Sequence, residues 1–158
     1  MKLHEICGYL PFGLQCHAMG EYIEGTEYND ISSPKLFTAT GMFKDSNGAQ
    51  YIEAYYESDQ YEIFFETDFF PILRPLSEIV REIEHNGEKF VPIDKIEDIY
   101  PEYIREDFDM AEWIIDSIVG NENANGLPHG IVQKLIEYHF DIFNFIESGQ
   151  AIDINTLK

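Results

Sequence analysis

A chain of 158 residues that is 44% hydrophobic and 15% aromatic has apolar material enough for a core, so its acidity is not that of a disordered tail. Ten Lys and Arg against thirty Asp and Glu leave a formal net charge of -20, a field that repels nucleic acid and anionic membrane and attracts basic protein surfaces. No apolar run approaches the roughly 20 residues that span a bilayer, and the N-terminal MKLHEICGYLPFG lacks the apolar core of a signal peptide. The expectation is therefore a single cytoplasmic domain over 1–158, with free thiols at Cys7 and Cys16.

Residues 1–34 are mixed, with short apolar stretches cut by Gly and Pro, and read as a short helix from Lys2 to about Tyr9 followed by one or two brief strands. Residues 35–66 carry the clearest strand signal. KLFTATGMFK, QYIEAYYE and QYEIFFE alternate in polarity and are separated by the turn clusters DSNG and SD. A two-residue turn at Asn47–Gly48 sets Tyr51 opposite Lys44, Glu53 opposite Met42 and Tyr55 opposite Thr40. A second turn at Ser58–Asp59 sets Tyr55 opposite Glu62, Glu53 opposite Phe64 and Tyr51 opposite Glu66. The inward face then holds Phe37, Ala39, Phe43, Ile52, Ala54, Tyr56, Tyr61, Ile63 and Phe65. Thr38, Thr40, Lys44, Glu53, Glu57, Glu62 and Glu66 lie outward, with Tyr51 and Tyr55 among them.

Residues 67–99 mix both periods. Ser77 suits a helix N-cap, Ile79, Val80 and Ile83 form a stripe, and Asn86–Gly87 reads as the helix stop. EKFVPI follows as a short strand, and Asp94 with Glu97 resembles a capping box opening another helix. Residues 100–158 are mainly helical: one helix with Phe108, Ala111, Ile115, Ile118 and Val119 at helical spacing, then the linker GNENANGLPHG. A second helix carries Val132, Leu135, Ile136, His139, Phe140 and Phe143 on one stripe and ends at Gly149, and AIDIN adds an edge strand. Strands early and helices late predict an α+β fold, an N-terminal antiparallel β-meander packed against C-terminal helices.

Two stretches, PILRPLSEIVREIEHNGEKFVPI at 71–93 and IVQKLIEYHFDIFNFIESGQAIDINTL at 131–157, resemble a group of small uncharacterised proteins carried by phages and mobile elements of gut anaerobes. The resemblance covers the C-terminal half and brings no catalytic or binding residues with it. What it implies is a context: an accessory gene product of a mobile element, acting in the host cytoplasm.

Chemistry is sparsely signalled. There is no GxSxG, P-loop or Rossmann glycine pattern, and carboxylates are too numerous to single out an acid–base pair, so no catalytic residue and no cofactor is expected. His4, Cys7, Cys16 and His17 invite a metal reading, but adjacent residues of an extended strand point to opposite faces, and no metal site is expected there. His139 reads as a packing histidine on a helix stripe, and Arg74, the first base after Lys44, as a neutraliser of nearby carboxylates. The outward face of the meander is the best candidate. Alternate strand residues are about 6.8 Å apart, so Glu53/Glu57 and Glu62/Glu66 make two rows of charge, with Tyr51 and Tyr55 as anchors. The expected function is an acidic accessory protein that binds and occludes a basic partner protein, one that handles nucleic acid being the form the context favours, with no direct contact to nucleic acid or membrane. The alternatives are a structural or assembly component of a phage particle, associating through AIDIN or the N-terminal segment, and a small metal-dependent or cysteine enzyme using Cys16 or His17.

Overall fold

The computed structural model describes residues 1, 3–18, 35–56, 59–64, 69–101, 108–121, 124 and 126–157. The fold is α+β, with antiparallel strands in the N-terminal half and three helices in the C-terminal half. The chain forms two compact units, Met1–Ile72 with Gly149–Lys158 and Leu73–Ser148. Among the described residues no helix is long and apolar enough to cross a membrane.

The first unit is built on a sheet of six strands. They are β1 (Gln15–Ala18), β2 (Lys35–Lys44), β3 (Gln50–Tyr56), β4 (Asp59–Phe64), β5 (Phe69–Leu73) and β8 (Ile152–Asp153), in the order β4-β3-β2-β1-β5-β8. AIDIN contributes the expected closing strand, two residues long, at the end of the sheet among the described strands. Cys16, Phe37, Ala39, Ile52, Ala54 and Phe69 are buried on the sheet, together with Ile6, Tyr9 and Leu14 from the N-terminal segment. That segment is a four-residue helix α1 (Leu3–Ile6) and a 3-10 turn at Leu10–Phe12. The Ala39 N–H donates to the Leu14 carbonyl at 2.8 Å, and Cys7 Sγ lies 3.3 Å from Met42 Sδ, which seats the segment against β2.

The β2–β3 register differs from the expected one, and the cause is local. The turn holds three residues, not two: Asp45 and Ala49 close it, and Asp45 Oδ1 accepts the N–H groups of Asn47 and Ala49, both at 2.8 Å. Gly48, at φ +89°, supplies the left-handed step that ends a three-residue hairpin loop. Lys44 therefore faces Gln50, Phe43 faces Tyr51 and Met42 faces Ile52, one place from expectation. A one-place slip would turn the whole of β2 inside out. A bulge at Thr40 prevents this, because pairing steps from Gly41–Glu53 to Ala39–Ala54 and Thr38–Tyr55. Phe37 and Ala39 stay inward, Met42 takes the inward place beside Ile52, and Phe43 turns outward. The β3–β4 register is displaced by two places, which preserves the faces: Tyr55 faces Gln60, Glu53 faces Glu62 and Tyr51 faces Phe64.

The second unit departs from the helix expected after Ser77. Only a 3-10 turn forms, at Leu76–Glu78. Asn86 (φ 52°) and Gly87 (φ 80°) are both left-handed, so the pair is the turn of a hairpin joining β6 (Ile83–His85) to β7 (Glu88–Phe90), not a helix stop. Helix α2 (Pro92–Ile99) starts on Pro92, two residues before Asp94, and Asp94 occupies its first turn with no capping box. Helix α3 (Met110–Asn121) is opened by Asp109, whose Oδ1 accepts the Glu112 N–H at 2.9 Å. Its buried stripe is Met110, Ala111, Ile114 and Ile118, while Val119 is 68% exposed.

Helix α4 (His129–Glu137) is shorter than its apolar pattern predicts. His139 is left-handed at φ 62°, its N–H donates to the Ile136 carbonyl at 3.0 Å, and the Phe140 N–H reaches back to the Leu135 carbonyl at 2.8 Å. These two bonds form a Schellman helix end, completed by burial of both Leu135 and Phe140, with histidine where glycine is usual. Beyond it, Phe140 bridges Arg74 in parallel fashion, and Asp141 organises the turn that follows. Since a non-glycine residue in this conformation costs roughly 1 kcal/mol, His139→Gly should be about that much more stable than His139→Ala in urea unfolding. Equal stabilities would show that no strain resides there.

Candidate functional site

The outward side of the sheet centres on β3. Tyr55 is 41% exposed, Leu36 on β2 is 44% exposed, and Phe43 and Tyr51 stack with ring centroids 5.2 Å apart and planes 14° from parallel. Glu53 is half-buried and leans over Gly41, where a Cβ would collide with its Oε2, so the missing side chain of Gly41 gives the carboxylate its place. Thr40 Oγ1 donates to the Glu53 carbonyl at 3.3 Å and steadies the bulge. Glu62 holds the position directly opposite Glu53.

Of the six residues expected at the site, the structure thus brings Tyr51, Glu53 and Tyr55 onto one face of β3 with the Glu62 position beside them; Glu57 and Glu66 lie outside the described residues. The face is more aromatic and apolar than expected, because the bulge adds Phe43 and because Leu36 points the same way. Gly41, alone in the interior of a strand, is the sequence signal that announces such a bulge.

Of the N-terminal sulfur and imidazole groups, the structure describes the side chains of Cys7, Cys16 and His17. Cys16 is inward and buried, and desolvation pushes its thiol up to about 12, far from the thiolate a nucleophile or metal ligand needs. His17, next along β1, is only half-buried. Among the described residues no group of three or more His, Cys, Asp or Glu is placed to hold a metal ion. A cleft of about 320 Å³ in the second unit is lined, among the described residues, by Ala124, Leu127, His129, Val132, Ile136, Ile142 and Phe143.

A cluster that the sequence does not announce lies in the second unit. Arg74 Nη2 donates to the Glu84 carbonyl at 2.6 Å, so the guanidinium serves the hairpin strand as well as the charge balance expected of it. The His85 ring meets the edges of His139 and Tyr138, with centroids 5.2 and 5.7 Å away. Lys134 bonds Glu137 at 2.8 Å and lies 5.6 Å from the centre of the Tyr138 ring. Residues 65 positions apart in the chain meet here through the Schellman end and the hairpin, neither of which an apolar pattern encodes. Burial, then the Arg74 charge, lower the His85 pKa below its usual 6.5, outweighing the pull of Glu137. Neutral His85 therefore favours the folded state above pH 6.5, and that contribution is lost as pH falls from there toward the lower folded-state value. Urea midpoints should drop between neutral pH and about pH 5, and the drop should shrink in His85→Asn. An equal drop in the variant would assign it to other groups.

No protein-family model, curated protein or solved structure matches this chain.

Proposed function

We propose that this chain acts by binding a basic protein through the outward face of its sheet, occluding the surface with which that partner would engage a polyanion. The observation that carries the reading is the β3–β4 register, which sets two glutamate positions, 53 and 62, directly opposite each other beside the exposed Tyr55. Like charges opposed across strands disfavour the sheet. A cationic partner removes that cost on binding, and Tyr55, Tyr51 and Phe43 supply contact area beside the charge. The net charge of -20 steers such a partner from a distance. In the context that the resemblance of the C-terminal half implies, a mobile element in a host cytoplasm, the partner we propose is a basic host or element-encoded protein, one that handles nucleic acid being the form that suits an acidic face.

The test is capture from host lysate by the native chain and by a variant with Glu53, Glu57, Glu62 and Glu66 changed to Gln. Retention of a basic protein by the native chain, weakened by salt and lost in the variant, supports the reading. In that case Tyr55→Ala should weaken the purified complex by about tenfold or more. Capture of the same proteins by both chains, or of none by either, defeats it. A second reading, self-assembly into a larger particle, is favoured by the position of β8 at the end of the sheet among the described strands. Molar mass that rises with concentration in light scattering would support that reading instead.

A further inference from the structure

The second unit carries a group of donors whose arrangement fits an anion. Arg74 is held through its backbone, with its N–H donating to the His139 carbonyl at 2.8 Å and its carbonyl accepting the Asp141 N–H at 2.9 Å. Its side chain is held by the Glu84 carbonyl, and the next residue of that strand, His85, lies against His139. Two polar atoms of this cluster, Arg74 Nε and His85 Nε2, are buried without a hydrogen-bond partner. Native proteins pair nearly all such atoms, so each orphan calls for a partner, and the two residues are close enough for the Arg74 charge to act on His85.

The chemistry of that partner is constrained. Arg74 Nε is a donor only, and the guanidinium charge excludes a cation. Glu78 attracts Arg74 and Glu137 attracts His85, but Glu137 is already bonded to Lys134. His139 adds a second imidazole from a left-handed backbone position that glycine would occupy without strain. Both Arg74 and His85 are half-buried as residues, so they stand near the surface and not in the core. In a chain of net charge -20 a free anion is repelled at long range, so only donors concentrated at one point can hold it.

We propose that Arg74, His85 and His139 form a binding site for one anionic group, a phosphate or a carboxylate, with Arg74 Nε as its principal donor and His85 Nε2, in the tautomer that carries its proton there, as the second. The site is independent of the acidic face of the sheet and does not require a protein partner.

The experiment is a titration of the native chain with sodium phosphate and, separately, sodium acetate, at ionic strength held constant with sodium chloride, following the histidine side chains by NMR. Saturable shifts of the His85 and His139 resonances with His129 unmoved, and a rise in the pH midpoint of His85 in the presence of the anion, are expected. Saturation by phosphate alone identifies a phosphate site, and saturation by acetate alone a carboxylate site. Arg74→Lys keeps the charge but loses Nε, and should weaken binding by about tenfold or more. Arg74→Gln, its fold checked by circular dichroism, should abolish it. Absence of saturable shifts with either anion across the millimolar range overturns the proposal. So do shifts that His129 shares, or that persist undiminished in Arg74→Lys, the variant that decides if Arg74→Gln does not fold.

Discussion

Replacing Asp141 with alanine is expected to destabilise the Leu73–Ser148 unit by about 3–5 kcal/mol. Asp141 is 5% exposed, and its carboxylate accepts three backbone N–H groups: those of Phe145 at 2.9 Å, Ile146 at 2.8 Å and Phe143 at 3.3 Å. The first two contacts are short and charge-assisted, and Phe145 is itself buried, so alanine leaves donors with neither protein nor water to satisfy them. The same residue donates its own N–H to Arg74, so the turn it organises anchors the parallel bridge after α4. Trp113, the single tryptophan, lies in this unit and reports its urea unfolding by fluorescence. Asp141→Asn, which keeps one acceptor oxygen, should fall between native and alanine. A loss below about 1 kcal/mol for alanine would show that the turn holds without its carboxylate.

Phe37→Ala should cost about 3–5 kcal/mol, whereas Phe43→Ala should cost about 1 kcal/mol. Both phenylalanines stand on β2, and simple alternation puts both inward. Phe37 is inward and buried at 1% exposure, so its removal leaves a cavity among packed side chains. Phe43 stands beyond the bulge and on the other face, half-buried, where it loses chiefly its stack with Tyr51. The contrast measures the bulge directly. Equal costs, read from urea unfolding of the two variants, would mean that β2 runs straight and that Phe43 belongs to the core. Phe43→Ala has a further use, since it strips aromatic area from the proposed binding face while leaving its acids in place.

How much of this was legible in advance differs element by element. Phe37, Ala39, Ile52 and Ala54 were readable as core because a strand repeats every two residues, and that period belongs to the chain itself. Parity survived a two-place error in the β3–β4 register for the same reason. The site was readable to the same depth: Glu53, Tyr51 and Tyr55 fall outward by alternation, but Phe43 joins them only through the bulge. The Asn86–Gly87 pair turns a hairpin where a helix stop is expected, because two left-handed residues serve either purpose. The choice rests on whether the flanking residues pair, as Ile83 does with Phe90. The stripe of α4 continues past Glu137 in sequence, yet the helix stops because Arg74 takes the His139 carbonyl and the Asp141 N–H on either side of Phe140.

By itself, then, the sequence determined what short-range physics governs. That comprises the α+β order of elements, the alternating faces of the meander, the closing strand at AIDIN and the heavy excess of acid. The register of β2 turned on a three-residue loop and a bulge, which alternation by itself does not count. Tertiary structure alone decided where Arg74 meets the end of α4 and the meeting of Arg74, His85 and His139, because these depend on backbone groups finding partners far away in the chain, and no local preference records which partner they will find.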